Sequence, residues 1–560
     1  GRYDNLNGNW ISGIPFMDSL HLGSQDNLPT DVLKNKGRNT YFFLPFILGL
    51  IGLMYHASKD RKSFYVLLSL FLFTGIALKI YLNERPFEPR ERDYALVGSF
   101  YVFAIWIGFG VYSLYESAKK HLAPKIAGPV LIAGSFVAAP VLMGFQNWDD
   151  HDRSDKYTAV AMAKAYLSSC DKNAILFTIG DNDTFPLWYA QEIENFRTDV
   201  KIVNTSLFMT DWYIDQMKMK SYESEALPIS FKHNEYVGDK LDYVAHIPKI
   251  ETRWDVKDFI AFIKNPKSTV EMQNGQIIHF YPTNKIRIPI DKNTIIKNKV
   301  VSPRYNDSIV SAIEIDIKGS AIYKNRLMML DIVTNNNWKR PIYFSGGAFD
   351  NEDYLWMKEF LQLEGMVYKL VPVRTQLPKG ASQIDMGQID TDIMFDKVMQ
   401  WDWGNSESLS IYHDPETRRN SITYRMNLSR LMSKLIAEGK MDKAKKVIDL
   451  AMTKMPVDQF EYYSLVDPFA KGYYDVGEKA KAQQLLTQLI GKYTENLNYY
   501  SHLSSSEQVD IAIEIVTDIE RYRGLLEIMK ESGDTSFYEK SKKTFNNYIS
   551  IFERFGREKE

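Results

Sequence analysis

Four long apolar stretches lie close together in the first quarter of the chain. They cover residues 41–55, 64–82, 94–115 and 126–145. A helix needs about 20 apolar residues to cross the roughly 30 Å hydrocarbon core of a bilayer, and the last three stretches meet that length. The first is shorter, but it has no polar face, which is typical of a buried or membrane helix. The pattern predicts about four transmembrane helices within residues 41–146, and a buried helix of a soluble domain is the alternative for the first.

The charges of the connecting loops predict how these helices are oriented. The 56–63 and 117–125 loops are basic, and positive charge favours the cytoplasmic side of a membrane. We therefore expect both loops in the cytoplasm. The segments predicted on the other side also carry lysines and arginines, so the number of cations differs little between the two sides. Four crossings then place residues 1–40, the loop between the second and third spans, and everything after residue 146 together on the outer face.

Buried strands alternate with helices in the domain predicted at residues 147–415. Residues 174–178, 200–204 and 341–344 have the continuous apolar character of buried strands. Helical segments are predicted between them, and strand, polar turn, helix and strand is the order of a parallel sheet. Functional groups are expected at the carboxyl ends of such strands.

The periodicity within this domain changes at about residues 225–318. Short alternating runs at 276–281, 285–290 and 311–317 predict strands with one buried face. We expect an antiparallel, β-rich insertion there.

Helical hairpins are predicted over residues 416–560. Residues 428–439 and 443–452, followed by Pro456, have the spacing of a tetratricopeptide-like hairpin, and residues 466–489 repeat it loosely at about 34 residues. Arrays of this kind often present concave surfaces that bind peptides. We expect the hairpins either to recruit a protein partner or to support the α/β domain.

Composition narrows the possible functions. The chain has 560 residues, a formal net charge of -2 and a single cysteine, Cys170. Near-neutral charge gives no reason to expect a nucleic-acid partner, and one cysteine excludes an intramolecular disulfide and a thiolate metal cluster. No signal peptide is visible, and we expect the sequence to be the carboxy-terminal part of a longer protein.

The loop between the second and third spans carries paired charge at the membrane surface. Arg85, Arg90 and Arg92 are candidates for binding the phosphate of an anionic lipid headgroup, because a guanidinium group matches phosphate oxygens bidentately and stays charged. Glu91 and Asp93 would then orient the arginines. The alternative is a solvated or internally paired connection that only packs the outer domain.

Two carboxylates follow the first strand of the α/β domain. Asp181 and Asp183, with Asn182 between them, resemble the arrangement that binds a divalent cation through oxygen ligands. Residues of these types after a strand also cap helices and form turns. A metal site and a capping role both remain open here, and capping is the favoured interpretation.

A second polar cluster, residues 149–152, lies just outside the last predicted span. Asp150 and His151 are candidates for a polar site, either joining Asp181 at a cation or supplying an acid or base. The alternative is a capping role, in which Asp152 begins the next helix.

Five aromatic residues in the α/β domain either form a surface on which a ligand stacks or belong to the core. These residues are Trp188, Tyr189, Trp212, Tyr213 and Trp338.

Several of these segments together resemble one family. They are RERDYA (90–95), GSFYVFAIWIG (98–108), NWDDHDRS (147–154), IGDNDTFPLWY (179–189), TDWYI (210–214) and NNNWKRPIYF (335–344). The chain is similar to the DUF2723 family of Bacteroidetes membrane proteins, which is described as similar to protein O-mannosyltransferases. That class looks like the GT-C membrane glycosyltransferases.

The resemblance implies transfer of a sugar from a polyprenyl-phosphate donor to a protein or other envelope acceptor. It implies a multi-pass protein of the bacterial inner membrane with a large periplasmic domain. GT-C enzymes usually carry their catalytic acid in a first outer loop ahead of the spans found here, so no catalytic residue is named. The alternative function is a noncatalytic envelope scaffold that recruits partners through its periplasmic domain.

Overall fold

The computed structural model combines helices with small mixed sheets. It describes residues 10–84, 92–272, 275–347, 351–376 and 386–555. The described residues divide into two compact units. One draws on Gly1–Arg153, Gln488–Glu527 and Thr535–Glu560, and the other on Ser154–Thr487 and Ile528–Asp534. The domain boundaries expected from the sequence remain predictions beside this division.

Two short helices precede the apolar region, α1 (Pro15–Leu22) and α2 (Thr30–Leu33). The turn before α1 is held by the buried carboxylate of Asp18. This carboxylate accepts hydrogen bonds from the Ser12 amide at 2.6 Å, the Ser12 hydroxyl at 2.7 Å and the Gly13 amide at 2.9 Å. Three donors compensate the carboxylate for its loss of water.

The apolar stretches form a group of helices. They are α3 (Leu44–Lys59), α4 (Arg61–Leu72), a π-helical turn (Phe73–Ala77), α5 (Leu78–Leu82), a 3-10 turn (Asp93–Leu96), α6 (Val97–Ala118), α7 (Pro124–Phe136), a second π-helical turn (Val137–Val141) and α8 (Leu142–His151).

Within the described residues, three continuous helical segments are long and apolar enough to cross a membrane. They are Arg61–Leu82, Asp93–Ala118 and Pro124–His151. Helix α3 has 16 residues, which at 1.5 Å per residue is about 24 Å and shorter than a bilayer core. A membrane protein is thus indicated, and the fourth crossing remains a prediction.

Helices α3 and α6 approach each other closely through glycines. A Cβ added at Gly52 would lie 1.7 Å from the Trp106 carbonyl oxygen, and one at Gly110 would lie 2.0 Å from the Leu48 carbonyl oxygen. Small residues of this kind let membrane helices bring their backbones together. The indole of Trp106 also donates to Nδ1 of His56 at 3.3 Å, which fixes the register of the pair.

The start of α3 meets the end of α8. The Asn39 amide group donates to Asp150 at 3.0 Å and to Asn147 at 3.1 Å, and the Tyr41 hydroxyl donates to Asn147 at 3.0 Å. The start of α3 and the end of α8 therefore lie on the same side of the helix group. This arrangement fits an even number of crossings.

The second unit begins with α9 (Thr158–Ser169), β1 (Ile175–Thr178), α10 (Asp181–Glu192), β2 (Lys201–Asn204) and α11 (Asp211–Met217). Strand β1 pairs in parallel with β2, as the sequence predicts. The parallel pairing arises because each strand is followed by a helix that returns the chain to the same edge. Residues 181–186 form the first turns of helix α10.

The insertion is mixed rather than antiparallel. Its elements are α12 (His233–Tyr236), β3 (Tyr243–His246), β4 (Trp254–Asp255), α13 (Val256–Lys264), β5 (Thr269–Glu271), β6 (Ile277–Tyr281), β7 (Lys285–Pro289), α14 (Lys292–Lys297), β8 (Ala312–Asp316) and β9 (Ala321–Tyr323). Two sheets form, in the orders β5-β6-β3-β9 and β4-β7-β8. The expectation of an antiparallel insertion is wrong for β3 with β6 and for β4 with β7, which pair in parallel. Helix α13 supplies a crossover that alternation within single strands does not reveal.

The main sheet is completed after the insertion. The elements are α15 (Lys324–Asn336), β10 (Ile342–Phe344), β11 (Leu361–Glu364), β12 (Val367–Leu370) and α16 (Thr391–Val398). The strand order is β11-β12-β10-β1-β2, so β1 lies between two parallel neighbours. The hairpin of β11 and β12 extends the sheet antiparallel to β10.

A buried ionic cluster ties α16 to this sheet. The Lys397 ammonium group binds Asp171 at 2.9 Å, the Ser169 carbonyl oxygen at 2.6 Å, and Glu364. Lys369 binds Asp171 from the other side at 2.6 Å. Burial alone would raise the pKa of Asp171, but the charges of the two lysines hold that pKa well below its usual range.

Helices fill the remainder of the described chain. They are α17 (Pro415–Ala437), α18 (Met441–Lys454), α19 (Val457–Phe460), α20 (Asp467–Asp475), α21 (Lys479–Ser501), α22 (Ser505–Asp510), α23 (Ala512–Glu531) and α24 (Thr535–Ile551).

Three of the connections between these helices have the same construction. Gly439, Gly477 and Gly533 have φ values of 73°, 82° and 71°, and the amide that follows each glycine donates to the carbonyl five residues earlier. This is the Schellman ending of a helix, which favours glycine in the left-handed position. Successive helical hairpins follow from it, and their likeness to tetratricopeptide repeats remains a prediction.

Within the first unit, the amino-terminal segment binds helices from the end of the chain. Thr30 donates its amide to Glu495 at 3.0 Å, and Lys492 pairs with Asp31 at 3.0 Å. The Tyr499 hydroxyl donates to the Ser24 carbonyl oxygen at 3.2 Å. Residues more than 450 positions apart are thus packed together.

Candidate functional site at the carboxyl edge of the sheet

Polar side chains gather where β1, β2 and β10 end. Thr178 closes β1 and its hydroxyl lies 2.6 Å from that of Thr184 at the start of α10. Asn204 closes β2 and donates to the same Thr184 hydroxyl at 3.1 Å. All three side chains are buried. They fix the first turn of α10 against the sheet, at the edge where ligands bind in open parallel sheets.

Asp183 lies at this edge and faces the end of β10. Its carboxylate accepts a hydrogen bond from the Ser345 hydroxyl at 3.1 Å. Burial raises the pKa of Asp183, while the hydrogen bond from Ser345 opposes the rise. Burial also raises the pKa of Tyr166, and the nearby charge of Asp183 adds to that effect. A carboxylate held in a costly environment at a strand end is a candidate functional group.

Neither aspartate occupies the position directly before helix α10. That position is Gly180, whose backbone is extended and which has no side chain to cap the first amides. Asp181 and Asp183 instead lie inside the first turn, where the helix dipole favours negative charge. Asp181 is exposed, and Asp183 is directed to Ser345.

A pair of glycines directly follows Ser345. Gly346 and Gly347 have φ values of 79° and 76°, a left-handed conformation that glycine adopts readily. A Cβ added at Gly346 would lie 3.0 Å from Cε2 of Tyr368. The sequence analysis did not select Ser345, although a serine directly after a buried parallel strand is a usable signal.

The outer face of α10 joins aromatic rings to a carboxylate. One side of the helix is shared by Asp181, Phe185 and Trp188, because they are four and three residues apart. Asn182 and Tyr189 flank this side. The rings of Phe185 and Trp188 stack with centroids 5.3 Å apart. Phe185 and Tyr189 are about half exposed, at 50% and 48%. Sequence reasoning missed Phe185, which lies between the residues that it selected.

The other candidate aromatics have different environments. Trp212 is 54% exposed, which leaves a stacking role open. Tyr213 is buried, and its hydroxyl accepts a hydrogen bond from the Asn204 amide at 3.0 Å and donates one to the Ile202 carbonyl oxygen at 3.5 Å. Trp338 packs beside a core cluster that includes Val300 and Val371. For Tyr213 and Trp338 the core interpretation fits.

The loop that carries Arg85, Arg90 and Arg92, called the arginine loop from here on, is only partly described. Arg85, Arg90 and Glu91 lie outside the described residues. Arg92 precedes the 3-10 turn that begins at Asp93, and both side chains are exposed. Their roles in binding and orienting a phosphate remain predictions.

Asp150 and His151 form a local pair at the end of α8. Nδ1 of His151 lies 2.6 Å from one carboxylate oxygen of Asp150, and the other oxygen accepts from Asn39. This pair belongs to the first unit, whereas Asp181 belongs to the second. The capping role expected for Asp152 is wrong, because Asp152 ends α8 and the next helix begins only at Thr158.

No group of three or more histidine, cysteine, aspartate or glutamate side chains that could hold a metal ion occurs among the described residues. Asp181 and Asp183 therefore have no third such ligand in the part of the chain that the structure describes.

The three helices that are long and apolar enough to cross a membrane indicate a membrane protein, and the second unit carries a mixed α/β sheet. A family model described as TMEM260-associated domain 2 matches residues 159–393. This match is less than half of the chain and runs from the first turn of α9 into α16. No curated protein and no solved structure matches the chain.

Proposed function

We propose that the protein is a membrane glycosyltransferase-like protein that acts on a polyprenyl-phosphate-linked sugar at the membrane face carrying the α/β domain. The acceptor is a protein or another envelope component, and the location is the periplasmic side of a bacterial inner membrane. The resemblance to the DUF2723 family and the three membrane-length helices support this function. The match to TMEM260-associated domain 2 covers the domain that carries the site.

The observation that carries the proposal is the outer face of α10. Carbohydrates present polar hydroxyls around an apolar ring face, so a sugar site combines aromatic rings with hydrogen-bonding groups. Phe185 and Trp188 supply stacked rings, which offer apolar area at low entropic cost. Asp181 and Asn182 supply acceptors and donors one turn away. In this proposal the face of α10 holds the sugar or glycan during transfer.

Sugar transfer by the intact protein in native membranes tests this role. Trp188→Ala removes one ring of the stacked pair, and we expect about a tenfold loss of transfer from a radiolabelled polyprenyl-phosphate sugar. Tyr323→Ala is the control, because Tyr323 is a half-exposed aromatic in the insertion. Unchanged transfer in a folded Trp188→Ala protein would contradict the proposal.

The same assay tests the arginine loop and the possible divalent cation at Asp181 and Asp183. Arg90→Ala combined with Arg92→Ala is expected to weaken use of the lipid-phosphate donor, because guanidinium groups bind phosphate strongly. Full transfer by this folded double variant would remove the loop from the site. Full activity after chelation would likewise leave Asp181 and Asp183 without a metal role.

A noncatalytic scaffold is the second candidate function, and one observation favours it. Val509, Ile513 and Val516 recur at helical spacing over α22 and α23 and are exposed, with Ile513 at 80%. An exposed apolar stripe is typical of a protein-binding surface. If Val509→Asp combined with Ile513→Asp dissociates a co-purifying envelope protein while transfer is absent in the unsubstituted protein, the scaffold function replaces the transferase.

A further inference from the structure

An open pocket of about 750 Å³ lies beside the end of α8. One wall comes from residues 33–39, the segment between α2 and α3, and the other from the last two turns of the membrane helix. The segment is fixed in place, because Asn39 donates to both Asn147 and Asp150. The pocket is therefore built from two anchored elements of one unit.

The two walls differ in chemistry. The segment contributes three cations, Lys34, Lys36 and Arg38, and the helix contributes one anion, Asp149. This leaves an excess of two positive charges in the lining. The Arg38 guanidinium donates to the neutral amide of Gln25 at 2.7 Å, so this hydrogen bond does not cancel its charge.

Apart from Gln146 and Asp149, the helix wall is apolar, and its apolar part continues the exposed apolar surface of the last membrane-length helix. Phe145 is 78% exposed and Val141 also lies on the surface. Trp148 lies near the end of the segment that is long enough to cross a membrane, where tryptophan is enriched at membrane interfaces. The pocket thus opens to the depth at which hydrocarbon gives way to headgroups.

We propose that this pocket binds the phosphate headgroup of an anionic membrane lipid. The cations of residues 34–38 would bind the phosphate oxygens, and the apolar wall at Val141 and Phe145 would receive the first part of an acyl chain. Charge complementarity and continuity with the bilayer select a lipid over free phosphate, because free phosphate makes no use of the apolar wall. The inference does not depend on sugar transfer.

Lipid binding by the purified intact chain tests this inference. Native mass spectrometry with added phosphatidylglycerol or phosphatidylcholine measures which lipid is retained. We expect preferential retention of phosphatidylglycerol. Replacing Lys34, Lys36 and Arg38 together by Gln should weaken that binding about 100-fold, since each cation near a membrane surface contributes to anionic lipid binding.

A matched control removes the same charge elsewhere. Lys62 and Lys125 lie in the first turns of α4 and α7, and Lys120 lies in the connection between α6 and α7, all at the other end of the helices. Their replacement by Gln should leave the retained lipid unchanged. Equal lipid preference in the first triple variant and the unsubstituted chain would overturn the inference. Full displacement of the lipid by an equal concentration of inorganic phosphate would also overturn it, because the pocket would then take the free ion. Loss of sugar transfer with normal lipid binding would instead contradict only the proposed function.

Discussion

At the scale of single residues, Asp183 carries the most information about function. Its carboxylate is held next to Ser345 by a helix that begins without a side-chain cap. The sequence placed this carboxylate at a strand end, because a parallel strand and a polar turn are recognisable from pattern alone. Ser345 follows a strand more than 160 positions later, and this pairing depends on the order of strands, which hydrophobic pattern does not give.

The raised pKa of Asp183 predicts a pH-dependent stability. Asp183 has a pKa of about 3.9 in the unfolded chain and a raised pKa in the folded chain. At pH values between the two, the folded state binds more protons than the unfolded state. Stability should therefore fall as the pH rises through that window. We expect Asp183→Asn to raise the thermal unfolding temperature at pH 7 and to match the unsubstituted chain below pH 4. Asp181→Asn, at an exposed position, is the control, and equal effects of both variants would contradict the assignment.

The buried cluster around Lys397 predicts a large effect from one substitution. Lys397→Met leaves Glu364 and Asp171 with less compensation in a buried setting. Breaking a buried ion pair costs about 3–5 kcal/mol in unfolding free energy. Denaturant unfolding of the full chain measures this cost. Lys172→Met is the control because Lys172 is exposed beside the same cluster, and a loss below about 1 kcal/mol for Lys397→Met would show that the cluster contributes little.

At the scale of elements, the helices were easier to predict than their contacts. Continuous apolar runs locate α4, α6 and α7 because spanning a bilayer demands length and composition. The close approach of α3 and α6 depends on Gly52 and Gly110, whereas Gly108 in α6 has no such contact. Which glycine faces a neighbour is set by helix packing, so sequence pattern alone does not identify it.

The α3 and α6 contact predicts opposite outcomes for two glycines in one helix. Gly110→Ala places a Cβ 2.0 Å from the Leu48 carbonyl oxygen, whereas Gly108 has no atom within 4 Å of an added Cβ. Overpacking usually costs about 1–3 kcal/mol, and a backbone clash belongs at the upper end. Thermal melting in detergent should show a lower unfolding temperature for Gly110→Ala. Gly108→Ala should be unchanged, and similar melting of both variants would refute the close contact.

At the scale of the whole chain, the order of regions was predictable and part of their packing was not. Membrane helices, α/β domain and helical hairpins follow one another as their patterns indicate. The binding of residues 24–31 to residues 492–499 has no sequence signal, because it rests on scattered polar side chains. The parallel pairs of the insertion were missed for a related reason, since alternation in a strand does not specify its partner.

Cysteine labelling tests the predicted orientation of the chain in the membrane. Single cysteines at Asp93 and Asp181 should react with an impermeant reagent from one side, and cysteines at Ser58 and Lys120 from the other. The native thiol of Cys170 does not interfere, because burial raises its pKa to about 12. The unsubstituted chain serves as the blank. Labelling of positions 93 and 181 from opposite sides would contradict an even number of crossings between the two regions.

The contact between Lys492 and Asp31 also constrains biosynthesis. A ribosome releases residues 24–31 long before it makes residues 492–499, so the early segment must wait for its binding partner until translation is almost complete. Insertion of the apolar helices can precede this step, but closure of the first unit cannot. Premature termination before residue 488 would therefore leave a membrane-inserted product whose leading segment stays uncovered and open to quality-control proteases.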